Sequence, residues 1–429
     1  MPDTFTEQLD LEAIAAKVGT PFFLYSADVL RRRINAVKKI IPGDTLQARY
    51  AMKACSTRRI LEEIRDAGIW IDAVSGNEVL RARNAGFPLG NNPPAILYTA
   101  DVFRDNALDV ITGTEVLPNI GSPAMIDDLA GAGYRGPIGI RINPGFGHGH
   151  VRECDTGGPS SKHGIWHETA GQARAAAAAA GLPIVLLHTH IGSGPQIEEF
   201  NRNMARLVEF FCEQLPSYPD LEAVNLGGGI PHPYRPGAPE VDLAPLGEIL
   251  RDAQATLSAR AGRSIRVEVE PGRYFIAPSA VLVTRVHDLK ATADNDKGPG
   301  HRFAMVDAGF TDLVRPAMYG SYHHITRHGG DTGAGTEAVV VAGPLCESGD
   351  VFTRDAREFL EPRELPALRR GDLLVFHDAG AYGVQMSSYY NSLGRAPQVW
   401  CDEGGFHLIS RRETLSDIIG NECYELLPA

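Results

Sequence analysis

The chain is poor in cysteine, poor in lysine and short of positive charge, and each shortage narrows its function. Its six cysteines stand singly at 55, 154, 212, 346, 401 and 423, with no Cys-x-x-Cys pair among the 429 residues. A disulfide-stapled secreted scaffold carries a denser set, so the expectation is reduced thiols in a cytoplasmic protein. Lys+Arg number 41 against 53 Asp+Glu, a formal net charge of -12. That balance argues against the broad positive surface of a nucleic-acid or anionic-membrane binder. The short cluster Arg31–Arg33 reads as a solvated helix face. Met1–Leu11 is polar and acidic, without the basic start and apolar stretch of a leader. No segment approaches the roughly 20 apolar residues of a transmembrane helix.

What is present is a rhythm. Short apolar runs occur at Leu46–Ala51, Ile69–Val74, Ala95–Thr99, Glu115–Asn119, Ile138–Ile142, Ile184–His188, Ala223–Leu226 and Ile265–Val269. Helix-like stretches lie between them, such as Arg58–Asp66, Asn77–Ala85, Ala124–Ala132, Glu168–Ala180 and Ile197–Gln214. Strands alternating with helices in this way predict an α/β fold, a closed (β/α)8 TIM barrel. After about residue 282 the rhythm changes. Ala280–Leu289, Arg302–Asp307, Glu337–Ala342 and Asp372–His377 read as strands separated by Gly, Pro and Asp, a second and mostly β C-terminal domain. Gly329–Gly335 and Ala293–Gly300 read as loops.

A barrel of this kind collects its chemistry at the C-terminal ends of its strands. Those ends carry Lys53, Asp72 with Ser75, Asp101, Asn119, Arg141, His190, Gly227–Gly229 and Glu270. Lys53 stands out because the chain has only seven lysines and this one ends an apolar strand. A partly buried lysine has a depressed pKa and can condense with an aldehyde cofactor, although the same placement also fits a structural ion pair. The amides of Gly227, Gly228 and Gly229 can wrap a phosphate or simply make a tight turn. Ser193 is a second phosphate donor. Glu270 can hold a pyridine nitrogen protonated, or pair with Arg273. His188 and His190 also raise a metal reading, with His148, His150, His163 and His167 nearby. The His-x-His of metal-dependent barrel hydrolases ends the first strand, whereas this one ends the sixth. His190 is therefore read as a flat ring stacked on an aromatic cofactor, and no metal is expected.

With these residues in hand, the chain resembles the pyridoxal-phosphate-dependent decarboxylases of the alanine-racemase barrel type, the bacterial diaminopimelate decarboxylases above all. The motifs are Tyr50–Ala54, Arg141–His150, Thr156–Ile165, His188–Ser193, Glu270–Arg273, Asp307–Phe310, Arg315–His324, Cys346–Asp350 and Gly380–Gly383. The resemblance implies a pyridoxal 5'-phosphate barrel over residues 29–282, with 1–28 and 283–429 forming a β-rich domain that completes the active site at a dimer interface. By the same resemblance Lys53 carries the cofactor, His190 stacks on its ring, Glu270 meets its ring nitrogen and Arg141 lies near its hydroxyl. Ser193, Gly227, Gly228, Gly229, Gly272 and Tyr382 would surround the phosphate, and Asp72 and Arg273 complete the cofactor set. Cys346, from the partner in a homodimer with shared active sites, would donate a proton to the substrate carbon.

For the substrate, the resemblance places Arg273, Arg315 and Tyr319 at a distal carboxylate, Glu347 at a distal amine and Tyr382 beside them. It implies decarboxylation of the amino acid meso-2,6-diaminopimelate at its D-centre, giving L-lysine and CO2 in the last step of lysine biosynthesis. A substrate without a distal carboxylate would leave the arginine pair poorly matched. Two segments depart from the family pattern, 230–234 and 393–397. Related decarboxylases acting on D-ornithine, D-lysine or a siderophore or antibiotic intermediate share most of the motifs and remain the alternative.

Overall fold

The alternation of apolar runs and helices closes into a ring. In the computed structural model, which describes residues 5–90, 93–147, 156–192, 196–296, 298–329, 333, 335–355, 357 and 359–423, eight strands pair in parallel. They are Leu46–Ala51, Trp70–Ala73, Ile96–Ala100, Leu117–Ile120, Ile138–Asn143, Ile184–His188, Ala223–Asn225 and Arg266–Val269. The last pairs with the first, Val267 opposite Leu46, which shuts the barrel. A two-residue strand, Ile165–Trp166, adds to the fifth. Parallel strands covered on both faces read as continuous apolar runs, which is why the barrel stands out in the sequence.

Helices between the strands bury one face each. Arg58–Asp66 turns Ile60, Leu61 and Ile64 inward and keeps its charges outward, where Arg58 and Arg59 pair with Glu62 and Glu63 one turn on. Inside the barrel the lower layer is apolar, with Leu97, Leu117, Leu186 and Ala223 clustered. It also holds a fully buried ion pair, Arg49 with Glu268, at 2.6 Å. Arg49 spends its remaining donors on the carbonyls of Ile71, Ala95 and Pro94, and Trp70 covers its guanidinium. A buried charge of this kind is tolerated only when so fully bonded.

The chain divides into two compact units: Arg31–Pro233 with Pro239–Phe275, which contains the barrel, and Met1–Leu30 with Tyr234–Ala238 and Ile276–Ala429. The second unit is built on a nine-stranded sheet. Its main path runs Arg363–Pro366, Thr336–Ala342, Arg302–Val306, Ala280–Ala291, Phe22–Ser26, Gln398–Asp402 and Gly405–Ser410. Leu373–Phe376 pairs with Ala280–Ala291 and with Ile325–Arg327. Phe22–Ser26 is wholly buried between a parallel and an antiparallel neighbour. Phe22 and Leu24 join Leu11, Ile14, Val281, Val283, Leu373, Val375 and Val399 in one core. Among the described residues no helix is long and apolar enough to cross a membrane.

Candidate active site

A cavity of about 500 Å3 opens at the C-terminal ends of the barrel strands. Lys53, Asp72, Ser75, Asp101, Arg141, His163, His188, His190 and Glu270 all line it. Asn119 does not. It is fully buried and donates to Thr99 Oγ1 inside the barrel. Lys53 leaves its strand on the single turn Met52–Ala54. It is exposed, not partly buried as the sequence suggested, because that turn lifts the side chain off the apolar strand and toward the cavity.

Glu270 is the most closely held group. Asn225 Nδ2 donates to its Oε1 at 2.8 Å, and His188 Nε2 lies 3.2 Å from Oε2. Burial alone pushes this carboxyl up, but the charge and hydrogen bond of His188, with Lys53 and Arg141 beyond, outweigh it and hold Glu270 ionised. Asp72 goes the other way: burial and then the neighbouring Glu270 charge raise it, so it favours its protonated form. Glu270 is thus engaged by His188 and Asn225. Neither His188 nor Asn225 was assigned a role from sequence. The available signal was a polar residue inside an apolar strand, and strand register completes it, since His188 lies opposite Asn225 and Arg141 opposite His188.

His190 accepts a hydrogen bond at Nδ1 from Gly228 N at 3.2 Å. Burial, then the cations Lys53 and Arg141, keep its ring well below the usual range, so it presents a neutral, flat face. The three glycines are required by crowding. A Cβ on Gly227 would stand 2.6 Å from Thr189 O, on Gly228 2.3 Å from Glu270 O, and on Gly229 2.4 Å from Gly192 O. Gly227 also has φ +72°. Their amides are not all bare, as the sequence suggested: Gly227 N is committed to Asn225 Oδ1 and Gly228 N to His190. Gly272 sits against the first strand, where a Cβ would meet Ala51 O at 3.0 Å. Arg273 opens the short helix Arg273–Ile276. Ser193 lies outside the described residues, as do His148 and His150 and parts of the two proposed loops.

One further residue joins the rim. Asp101 lies 2.5 Å from His163 Nδ1 and accepts from Gly164 N at 3.1 Å, pinning the segment after the fifth strand to the end of the third. Burial raises Asp101, but the His163 and Gly164 bonds prevail and take it down to about 2. Among the described residues no three His, Cys, Asp or Glu side chains gather as a metal site.

The other predicted residues belong to the second unit. Arg315 and Tyr319 begin and end the helix Arg315–Tyr319, and Arg315 is buried. Asp312, just ahead of that helix, accepts from Gly309 N, and burial pushes it up to about 7. Cys346 and Glu347 are exposed on a turn. Asp350 shapes that turn from beneath: its buried carboxylate accepts Leu345 N at 2.8 Å and Phe310 N at 2.7 Å. Asn391, at φ +54°, braces the Cys346 amide through Oδ1. Tyr382 also takes a left-handed backbone, φ +59°. In the divergent segment 393–397, Gly394 packs against Glu413 O and Arg395 N donates to the Glu413 carboxylate.

A family model described as pyridoxal-dependent decarboxylase, pyridoxal binding domain, matches residues 27–277. The chain belongs to the pyridoxal-dependent decarboxylases. Its cofactor is pyridoxal 5'-phosphate. Among curated relatives, the diaminopimelate decarboxylase of Streptomyces coelicolor is 41% identical over 96% of this chain and 91% of that protein. That of Escherichia coli K12 is 40% identical over 98% of each. A solved diaminopimelate decarboxylase structure superimposes with TM-score 0.88 at 38% identity, covering 96% of this chain and 95% of that one. Another, from Helicobacter pylori and complexed with L-lysine, gives 0.81 at 27%, covering 96% and 98%.

The cavity suits this family's cofactor. Among the described residues Asp72 Oδ1 and Arg141 Nη2 are buried polar atoms with no hydrogen-bond partner, on residues that line it. An amine, a guanidinium, a neutral ring and an ionised carboxylate surround the space, matching the aldehyde, the ring hydroxyl, the aromatic face and the pyridine nitrogen of pyridoxal phosphate.

Proposed function

We propose that this decarboxylase acts on meso-2,6-diaminopimelate, releasing CO2 from the D-centre and L-lysine as product, the last step of lysine biosynthesis. One observation carries the reading: the likeness to diaminopimelate decarboxylases runs through nearly the whole chain, both units included.

When bound, pyridoxal phosphate takes up the electron pair freed as the carbon–carboxylate bond breaks. The residues supply the rest. Lys53 offers the amine that holds the cofactor, and the ionised Glu270 is the anion for its ring nitrogen. His190 lends a neutral face to the ring, with Asp72, Arg141 and Arg273 around it. Ser193, Gly227, Gly228, Gly229, Gly272 and Tyr382 surround the phosphate, with Gly227 N held by Asn225 and Gly228 N by His190. Arg273, Arg315 and Tyr319 grip the distal carboxylate, with Glu347 on the distal amine and Tyr382 beside it.

Cys346 and Glu347 come from a second copy in a homodimer. Their exposure supports this, as do the exposed Met318, Phe359, Tyr390 and Leu393 on the same unit. Cys346 returns a proton to the substrate carbon, and only a protonated, reduced thiol can do that. The same requirement favours a reducing compartment, the cytoplasm. The domain reading, 29–282 for cofactor and 1–28 with 283–429 for the interface, belongs to this proposal.

The test is CO2 release by the purified, pyridoxal-phosphate-loaded protein given meso-diaminopimelate, D-lysine and D-ornithine side by side. Strong preference for diaminopimelate, with L-lysine formed, is the expected result. Preference for either monocarboxylic amino acid overturns the substrate and leaves the family intact.

A further inference from the structure

A guanidinium that grips a carboxylate must be aimed, and the second unit contains a device that aims Arg315. Its Nη1 lies 3.0 Å from His323 Nε2. Arginine only donates, so Nε2 must accept and the ring proton must sit on Nδ1. Nδ1 lies 2.9 Å from the carbonyl oxygen of His377, which can only accept. The two contacts together fix one neutral tautomer of His323. Strand pairing supplies that carbonyl: Ile325 lies opposite Phe376, and His377 N donates to His324 O at 2.8 Å.

A second side chain closes the box. The Tyr234 ring lies 4.8 Å from Arg315 Cζ, within cation–π range, and meets the His323 ring edge-on at 5.5 Å and 74°. Tyr234 ends the segment 230–234 that departs from the family pattern, and the next residue is anchored too, since Arg235 packs over Tyr322 at 4.2 Å. Arg315 and His323 are each 3% exposed, so neither can swing freely. His323 and the Tyr234 ring orient the guanidinium without bringing a carboxylate to it, which suits a group meant for an anion.

We propose that His323 and Tyr234 are positioning residues that set the pose of Arg315 and so select substrates with a distal carboxylate. The inference rests on reading Arg315 as the partner of that carboxylate. Chemistry provides a clean pair of probes. L-Lysine, the product, keeps the distal carboxylate, whereas cadaverine, the corresponding diamine, has none.

The experiment measures kcat and KM for meso-diaminopimelate, and inhibition by L-lysine and cadaverine, in the holoenzyme and its variants. His323→Leu removes the acceptor. It should raise KM and the L-lysine Ki about 10-fold, the usual scale for a lost charge-assisted bond, with kcat within about twofold and the cadaverine Ki unchanged. His323→Gln, whose amide oxygen can accept from Nη1, should restore most of the loss. Tyr234→Leu removes the ring and should follow His323→Leu. Equal weakening of L-lysine and cadaverine in His323→Leu, or a fall in kcat alone, overturns the proposal. So does failure of His323→Gln to recover. Arg315→Ala separates the two levels. If it leaves the L-lysine Ki unchanged, the reading of Arg315 itself fails; if it weakens L-lysine while His323→Leu does not, only the positioning role fails.

Discussion

Replacing Asn225 by Asp changes one atom's chemistry and almost nothing of its shape, at the point where the charge of Glu270 is set. Oδ1 of the new side chain can still accept Gly227 N, now at 2.8 Å. The other oxygen replaces the amide that donates to Glu270 at 2.8 Å, so a supporting donor becomes an opposing carboxylate. Two unit charges about 4 Å apart at an effective dielectric near 20 repel by about 4 kcal/mol. That corresponds to roughly 3 pK units, to be shared by the pair. Glu268 also stands 3.4 Å from Asn225 Nδ2 but is neutralised by Arg49 and Arg266, so Glu270 takes most of the effect. In the parent protein Glu270 is depressed and stays ionised as the pH falls through the assay range. In Asn225→Asp the two carboxyls should share a proton, moving the acid limb of kcat upward by roughly 2 units. Turnover and the visible absorbance of the bound cofactor, followed from about pH 3.5 to 9, report it, with circular dichroism as the folding control. A pH profile superimposable on the parent's, with full turnover, refutes the claim that Asn225 and His188 govern Glu270.

Lys53→Ala should abolish both turnover and the visible absorbance of the loaded protein; retention of both would remove the cofactor assignment. Arg49→Met should cost about 3 kcal/mol or more in urea unfolding, because Glu268 is left buried with fewer partners; a loss below about 1 kcal/mol would contradict the buried-pair argument. Asp101→Ala frees Gly164 N and His163, so trypsin should cut after Lys162 about 10-fold faster than in the parent, and an unchanged rate would deny the pin. Because the Asp101 carboxyl is lowered to about 2, its stabilisation is complete above the ordinary carboxylate range and fades only as the pH falls toward that value. Cleavage of the parent at Lys162, normalised at each pH to trypsin's rate on an unstructured peptide, should therefore be the same at about pH 6 and pH 8.

The barrel was legible because its strands are buried on both faces and carry their own signal. Leu46–Ala51 and Ile184–His188 begin and end where the apolar runs do. The second unit was half legible. Ala280–Ala291 and Thr336–Ala342 show as strands, but Phe22–Ser26 and Gln398–Asp402 do not. Their pairing joins residues far apart in the chain, and no local pattern encodes it. The same limit applies in the site. Lys53, Asp72, Arg141, His190 and Glu270 could be found because each ends a strand. The grip of His188 and Asn225 on Glu270 depends on register between neighbouring strands, which a single sequence does not display. The exposure of Lys53 was misjudged because it is set by the turn Met52–Ala54 and not by the apolar strand before it. Asp350, visible as a charge beside Cys346, proved to be a buried brace whose position only the folded turn defines.

The burial of Phe22–Ser26 between Ala280–Ala291 and Gln398–Asp402 has a consequence for synthesis on the ribosome. Phe23 leaves the exit tunnel well before its partner Gln398. At about 5–20 residues per second that is a wait of roughly 20 to 75 s. Until Ala280–Ala291 emerges this largely apolar strand has neither edge satisfied, and until Gln398–Asp402 follows it has only one; every strand of the barrel is made before either. The first strand to emerge is therefore among the last to gain both of its neighbours.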